Sequence, residues 1–339
     1  MNRGFRVASV VIGKIVIVLV VLAGFVSQPC LGASDVLFRF NIPDGTTWIE
    51  TYKETNQKTI DGQVDSTSVI ESKMRYQIKK TEDGYLVKRT PISFATPKIK
   101  EADYQEQVNY IAQEMRNRTP VEYVLNSYGA CVGINGMEGL LEAITAEAYR
   151  QMPNLIELRV PPGFDQMISM VMQEEWNSKY RGLLGLRAKK GDTWSTTHAI
   201  SSVVSDDTSA KLANNITWVD NVQKDGHNCA KLQYRTTVDP NVADVYLGQI
   251  LNMESAVLDS TGKSHEACNV EYFERGEWIV DPVTMRFYSV IENQMIKWTD
   301  SIAGEGSLKC VVKVWKQCTY EYEAPKKTEP KTETKTENK

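Results

Sequence analysis

One four-residue pattern occurs twice in this chain, as Gly45-Thr-Thr-Trp48 and as Gly191-Asp-Thr-Trp194. Each copy opens a long run of Thr-, Val- and aromatic-bearing sequence of strand character. Each run then meets an Asp-Gly pair (Asp83-Gly84, Asp225-Gly226) and an Arg-Thr pair (Arg89-Thr90, Arg235-Thr236). Asp-Gly is turn chemistry, because glycine takes the positive φ that tight hairpins need. The repeat predicts one β-meander used twice. It is a scaffold signature: Gly makes the entry turn and Trp anchors the first long strand in the core.

The first unit begins with Val36 to Phe40, a short alternating strand. Thr46 to Thr59 and Thr67 to Lys80 follow, joined through Asp61-Gly62, and Tyr85 to Thr90 completes the meander. A slip in the alternation near Ser72 predicts a bulge or bend. From Lys98 the period becomes helical through Tyr104, Val108, Ile111 and Met115, until Pro120 stops it. Val121 to Ile134 is extended, with a turn at Asn126 to Gly129. Residues 137–186 read as helical. Leu140, Leu141, Ile144 and Ala148 make one stripe, and Phe164, Met167, Ile168, Val171, Met172 and Trp176 make a wider one after Pro161-Pro162-Gly163.

The second unit runs Thr193 to Ser205, Ala210 to Val222 and Cys229 to Val238. A helix is expected over 240–258. Strands resume at Cys268 to Phe273, Trp278 to Asp281, Phe287 to Trp298 and Leu308 to Tyr322. In the last, Cys310, Val312, Val314, Cys318 and Tyr320 share a face. The expected fold class is α+β: two related antiparallel β-meander units, 34–186 and 187–324, forming curved sheets with helical inserts covering one face.

Residues 1–33 read as an export signal. Arg3 and Arg6 precede an apolar run from Ile15 to Val26, with cleavage expected after Gly32 or Ala33. A retained anchor over 7–26 would have to accommodate Lys14. The expected location is periplasmic or extracellular, with membrane contact only through this segment if it is uncleaved. Residues 325–339 hold Thr, Glu, Lys and Pro without a large apolar side chain, and read as a disordered tail. Net charge is −4, and loss of Arg3, Arg6 and Lys14 with the signal makes it −7. A mildly acidic chain without a basic block argues against a nucleic-acid partner. Of six cysteines, Cys30 falls in the signal segment. Cys310 and Cys318 are too far apart along one strand to pair with each other. A bridge from Cys268 to one of them is one reading, and buried free thiols are the other.

Gly191-Asp-Thr-Trp194, the Asp225-Gly226 turn with its Cys229-Ala-Lys-Leu232 strand, and the Ile279-Val-Asp-Pro-Val-Thr-Met285 hairpin resemble a bacterial family of secreted β-rich proteins with no assigned function. The likeness covers residues 187–298 and is echoed over 41–135. Met285 stands where that family's final turn has Gly. The strand–helix–strand order is also similar to the periplasmic lipoprotein-carrier superfamily, whose incomplete barrel curves around helices and an apolar cavity. That likeness implies a hydrophobic-ligand carrier and transfers no site residue.

The chain has no nucleophile elbow, phosphate loop, dinucleotide fingerprint or His pair at helical spacing. No catalytic, cofactor or metal residue is therefore expected, and the protein is read as a non-enzyme. Glu174-Glu175 reads as a solvated helix face, and Asp281, before Pro282, as a turn residue. The remaining feature is methionine. On a helix laid over the mouth of a curved sheet, Phe164, Met167, Met170, Met172 and Trp176 would face a hydrophobic ligand. The same stripe also reads as a helix filling its own core. The expected function is an exported cell-envelope protein holding a lipid-like ligand between sheet and helices. The alternative is a structural or interaction module with an envelope protein partner and no ligand.

Overall fold

The computed structural model describes residues 35–95, 104–151, 164–180, 182–201, 209–238, 265–302 and 306–323. The export segment, the helix expected over 240–258 and the tail lie outside the described residues. In chain order the elements are β1 (Val36–Leu37), β2 (Thr47–Ile60), β3 (Gln63–Lys80), β4 (Gly84–Ala95), α1 (Tyr104–Arg118), β5 (Val121–Asn126), β6 (Cys131–Asn135), α2 (Met137–Gln151) and α3 (Phe164–Tyr180). Then come β7 (Arg187–Ala188), β8 (Thr193–Ser201), β9 (Ser209–Lys224), β10 (His227–Thr237), β11 (His265–Val280), β12 (Phe287–Ile302) and β13 (Gly306–Tyr322).

Eleven strands make one antiparallel sheet in the order β6-β5-β4-β3-β2-β13-β12-β11-β10-β9-β8, and β1 pairs with β7 separately. The fold is α+β, with a curved open sheet and, among the described residues, three helices. A single non-sequential pairing, β13 on β2, joins the two runs of strands. It sets Tyr322 opposite Trp48 and Cys310 opposite Ile60. The sheet therefore reads β8 to β13 and then β2 to β6, one run head to tail with the other.

The two Gly-x-Thr-Trp segments make the same backbone exchange. Gly45 N–H donates to Ile78 O at 3.0 Å, and Ile78 N–H returns to Thr46 O at 3.0 Å. Gly191 N–H donates to Trp218 O at 2.8 Å, and Trp218 N–H to Asp192 O at 3.0 Å. Both glycines hold positive φ, 72° and 97°. The Asp61-Gly62 and Asp225-Gly226 turns also match, with left-handed Asp (φ 47°, 48°) and Gly (φ 79°, 79°), the hairpin geometry whose twist suits the strands. Asp83-Gly84 is different. Gly84 is needed because a Cβ there would stand 2.1 Å from Leu125 O on the neighbouring strand.

Some strand limits differ from expectation. The strand at Val36 is two residues long, although Phe38, Phe40 and Ile42 still turn alternately into the core. The segments Cys268 to Phe273 and Trp278 to Asp281 are one strand, β11. Gly276 lies between the two segments. Its missing side chain makes room for the Tyr234 ring, whose Cε1 would lie 2.2 Å from an added Cβ. The bulge expected near Ser72 is present, between Lys73 and Met74 in the pairing of β3 with β4.

Cys131, Cys229, Cys268, Cys310 and Cys318 are all free, so the Cys268 bridge does not form among the described residues. Burial pushes the thiols of Cys131 and Cys310 up to about 11, and that of Cys229 up to about 12. A thiol so raised holds little nucleophilic thiolate at pH 8. Iodoacetamide should therefore modify at most half-buried Cys268 in the folded protein and all five on unfolding. Mass spectrometry after timed alkylation reads this, and fast labelling of Cys229 would contradict it.

The core lies on the concave face of the sheet. α3 presents Ile168, Met172, Trp176 and Tyr180 to it, and Gly182 with φ 75° ends the helix. The Trp176 ring lies near Tyr123 of β5 and Tyr76 of β3, while Tyr180 meets Phe287 of β12. A single helix reaches strands this far apart only because the sheet curls around it. α3 is pinned to the exposed edge of β6, where the Asn177 amide exchanges hydrogen bonds with the Cys131 backbone as a neighbouring strand would (2.7 and 3.2 Å). Phe38 and Phe40 plug one end of the concavity against Trp194, Trp218, Tyr85 and Tyr180. Among the described residues, no helix is long and apolar enough to cross a membrane.

Candidate functional site

Between the concave face, α1 and α3 lies a cavity of about 560 Å³. That is within the size range of small-molecule sites. Its walls combine a track of rings with a ladder of charges. The rings run Tyr123, Trp176, Tyr180, Phe287, Trp278, Tyr234, with successive centroids 5.1, 5.4, 5.5, 6.5 and 4.7 Å apart. Tyr180 stands just behind the wall and the other five line it.

The ladder comes from register. Strand side chains alternate, and Glu54 points inward in phase with Trp48, Glu50 and Tyr52. Opposite Glu54 is Lys316, opposite Lys316 is Glu292, then Gly276, then Tyr234. The next row reads Asn56, Val314, Gln294, Glu274, Thr236, Asn214. Hydrogen bonds knit these rows. Glu274 accepts from Tyr234 Oη (3.1 Å), Gln294 Nε2 (3.0 Å), Tyr272 Oη (2.8 Å) and Thr236 Oγ1 (3.1 Å). Glu54 accepts from Tyr52 Oη and from Asn56 Nδ2 (2.8 Å). Burial, then the Glu54 carboxylate, pushes the Tyr52 phenol far above its ordinary value.

Glu292 is the costly member. Burial raises its carboxyl above the ordinary value; Lys316 opposes that rise and the Glu274 carboxylate adds to it. A raised carboxyl binds its proton more tightly folded than unfolded. Stability is then fully present below the ordinary pKa of 4.5 and declines as pH rises toward the folded value. Glu292→Gln mimics the protonated form. It should melt higher than the parent at pH 7 and level with it near pH 4, and a lower melting temperature at pH 7 would contradict this.

Toward α3, Lys179 Nζ meets Glu50 Oε2 at 2.6 Å and lies 5.9 and 5.8 Å from the Tyr76 and Tyr320 ring centroids. At the α1 end, Arg89 of β4 reaches Arg116 O, Thr119 O (3.4 Å) and Tyr123 Oη (3.5 Å). Arg116 Nη1 pairs with Glu175 Oε1 at 3.0 Å. Glu174 and Glu175 line the cavity instead of forming a purely solvated face.

Of the side chains expected to face a ligand, Trp176 lines the cavity. Met172 is fully buried in the core, and Phe164 is half-buried against it. Met167 and Met170 are each 49% exposed, and neither lines the cavity. Val171, one turn before Glu175, supplies the apolar contact to the cavity from that part of the helix. The charged residues were readable only as breaks of phase. Glu50, Glu54, Glu292 and Lys316 each occupy inward slots of otherwise apolar strands.

A second polar cluster lies away from the cavity. His227 Nδ1 is 3.0 Å from Asp281 Oδ2. Asp281 holds its own turn, accepting from Val283 N (2.9 Å) and Thr284 Oγ1 (2.6 Å). His227 Nε2 faces Arg286 Nη1 at 3.5 Å. The pair braces the turn in which Met285 takes φ 60° while fully buried, the position where glycine is at ease. Among the described residues, no cluster of His, Cys, Asp and Glu is arranged to hold a metal ion.

No family model matches this chain, and no curated protein matches it. Among solved structures, lipovitellin, titled for its lipid–protein interactions, is similar at 10% identity and a TM-score of 0.36. The match covers 82% of this chain and 25% of that one. An outer membrane channel from Pseudomonas putida F1 is similar at 8% identity and a TM-score of 0.16, covering 86% of this chain and 100% of that one. The chain thus spans a quarter of the lipovitellin chain. Neither likeness carries an argument about function.

Proposed function

We propose that this is a non-enzymatic binding protein that holds one amphipathic, lipid-like molecule in the cavity between the curved sheet and α1 and α3. The observation that carries the reading is the wall itself. A continuous ring track takes an apolar body, and the inward charges beside it would be replaced by Val or Leu if the interior served packing alone. Carboxylates such as Glu292 weaken the fold where they stand, which is what a binding surface costs. The hydrophobic ligand expected from sequence is thereby refined to one with a polar end. An exported, cell-envelope location goes with this reading and rests on the Arg3, Arg6 and Ile15 to Val26 pattern.

Trp176 and Trp278 make the test direct. Titration with dodecanol or dodecanoate should shift and change their emission in a saturable way, with one site per chain. A second reading, a protein-interaction module, is favoured by Tyr128 and Val132, exposed at 76% and 59% beside edge strand β6. An unchanged emission at saturating amphiphile would favour that module.

A further inference from the structure

The ladder carboxylates are answered by protein donors, and among the described residues the open demand in the cavity is for an acceptor. Arg89 is 4% exposed and lines the cavity at its α1 end. Its fork is spent on neutral acceptors: Arg116 O, Thr119 O and the Tyr123 hydroxyl. No carboxylate among the described residues lies within ion-pair distance of it, and its Nε has no partner among them. Arg116 lines the same end. One nitrogen pairs with Glu175, and its buried Nε also has no partner. Both arginines line this end of the cavity, and each holds a buried Nε–H donor without an acceptor among the described residues. A buried donor without an acceptor loses its hydration and gains nothing in return. Planar guanidinium groups are matched by an oxyanion, which accepts several N–H bonds at once.

We infer that the Arg89–Arg116 end of the cavity takes the oxyanion head, a carboxylate or phosphate, of the bound molecule. The inference rests on the amphipathic reading above and adds polarity to it. The acid end lies at α1, where the partly exposed Arg116 side chain reaches the surface. The chain runs inward over Tyr123, Trp176 and Met74. An ammonium head fails at this end, because it would leave both N–H donors unanswered and meet two cations.

Calorimetric titration of the full chain with dodecanoate, dodecanol and dodecylamine tests this, since one chain carries three heads. Dodecanoate should bind about tenfold tighter than dodecanol, the scale of one added charge-assisted bond. Arg116→Met should abolish that difference by weakening dodecanoate binding far more than dodecanol binding. Arg89→Lys keeps the charge and loses the fork, and should reduce the preference without removing it. Thermal melts of both variants establish that they fold. Equal binding of acid and alcohol, or tighter binding of the amine, overturns the inference while the amphipathic reading stands. Binding of inorganic phosphate alone, lost in Arg116→Met and with no dodecanol bound, keeps the oxyanion site and overturns the amphipathic reading. If none of the four probes binds, both fall.

Discussion

Trp176→Ala should lower the free energy of unfolding by about 3–5 kcal/mol and the melting temperature by roughly 10 °C. The indole is 4% exposed and belongs to both core and cavity. Its Nε1–H donates to Gly129 O at 3.0 Å, which ties α3 to the β5–β6 turn. Its ring meets Tyr123 and Tyr180 at 5.1 and 5.4 Å and Phe40 and Tyr76 at 6.5 Å. Alanine leaves a void that four aromatic neighbours on different elements cannot close together. Met170→Ala is the matched control. It lies on the same helix, 49% exposed, and should shift stability by no more than about 0.5 kcal/mol. Similar melting temperatures for the two variants would mean that α3 is not the element around which the sheet curls.

Lys179→Met should cost about 2–3 kcal/mol, somewhat less than the loss of a fully buried pair, because Lys179 is 31% exposed. The cause is the partner left behind. Glu50 is 8% exposed, and without the ammonium its carboxylate has no cation beside it. Glu50→Gln in the same chain should restore most of the loss, because a neutral amide no longer needs the charge. Denaturant unfolding of the two single variants and the double variant measures this coupling. A double variant as unstable as the sum of the singles would show that the pair does not act as a unit.

Much of the scaffold was legible because it is local. Gly45 and Gly191 sit at positive φ where the strand entry demands it, and Asp61-Gly62 and Asp225-Gly226 make the hairpins that Asp-Gly specifies. The period change before α1 and the stripe Leu140, Ile144, Ala148 in α2 were equally plain. The shared face of Cys310, Val312, Cys318 and Tyr320 followed from alternation alone. What failed was tertiary. The expected split between Phe273 and Trp278 is a continuous strand, in which the Tyr234 ring of another strand fills the place of a side chain at Gly276. The Cys268 bridge was an open pairing that spacing could not decide. The ladder was invisible for the same reason. Glu54, Lys316, Glu292 and Glu274 lie on four strands, and only the register of β2, β13, β12 and β11 sets them side by side. Met167 and Met170 drew attention by residue type, but they are exposed on the N-terminal half of α3, and the helix lines the cavity only from Val171 onward.

The account turns on an occupied cavity, and native mass spectrometry of the protein purified gently from its own source reads occupancy directly. It predicts a species heavier than the bare chain by the mass of one lipid-sized molecule, released on collisional activation and reduced in Trp176→Ala. A single bare-chain mass under the same conditions, unchanged after incubation with dodecanoate, would contradict it.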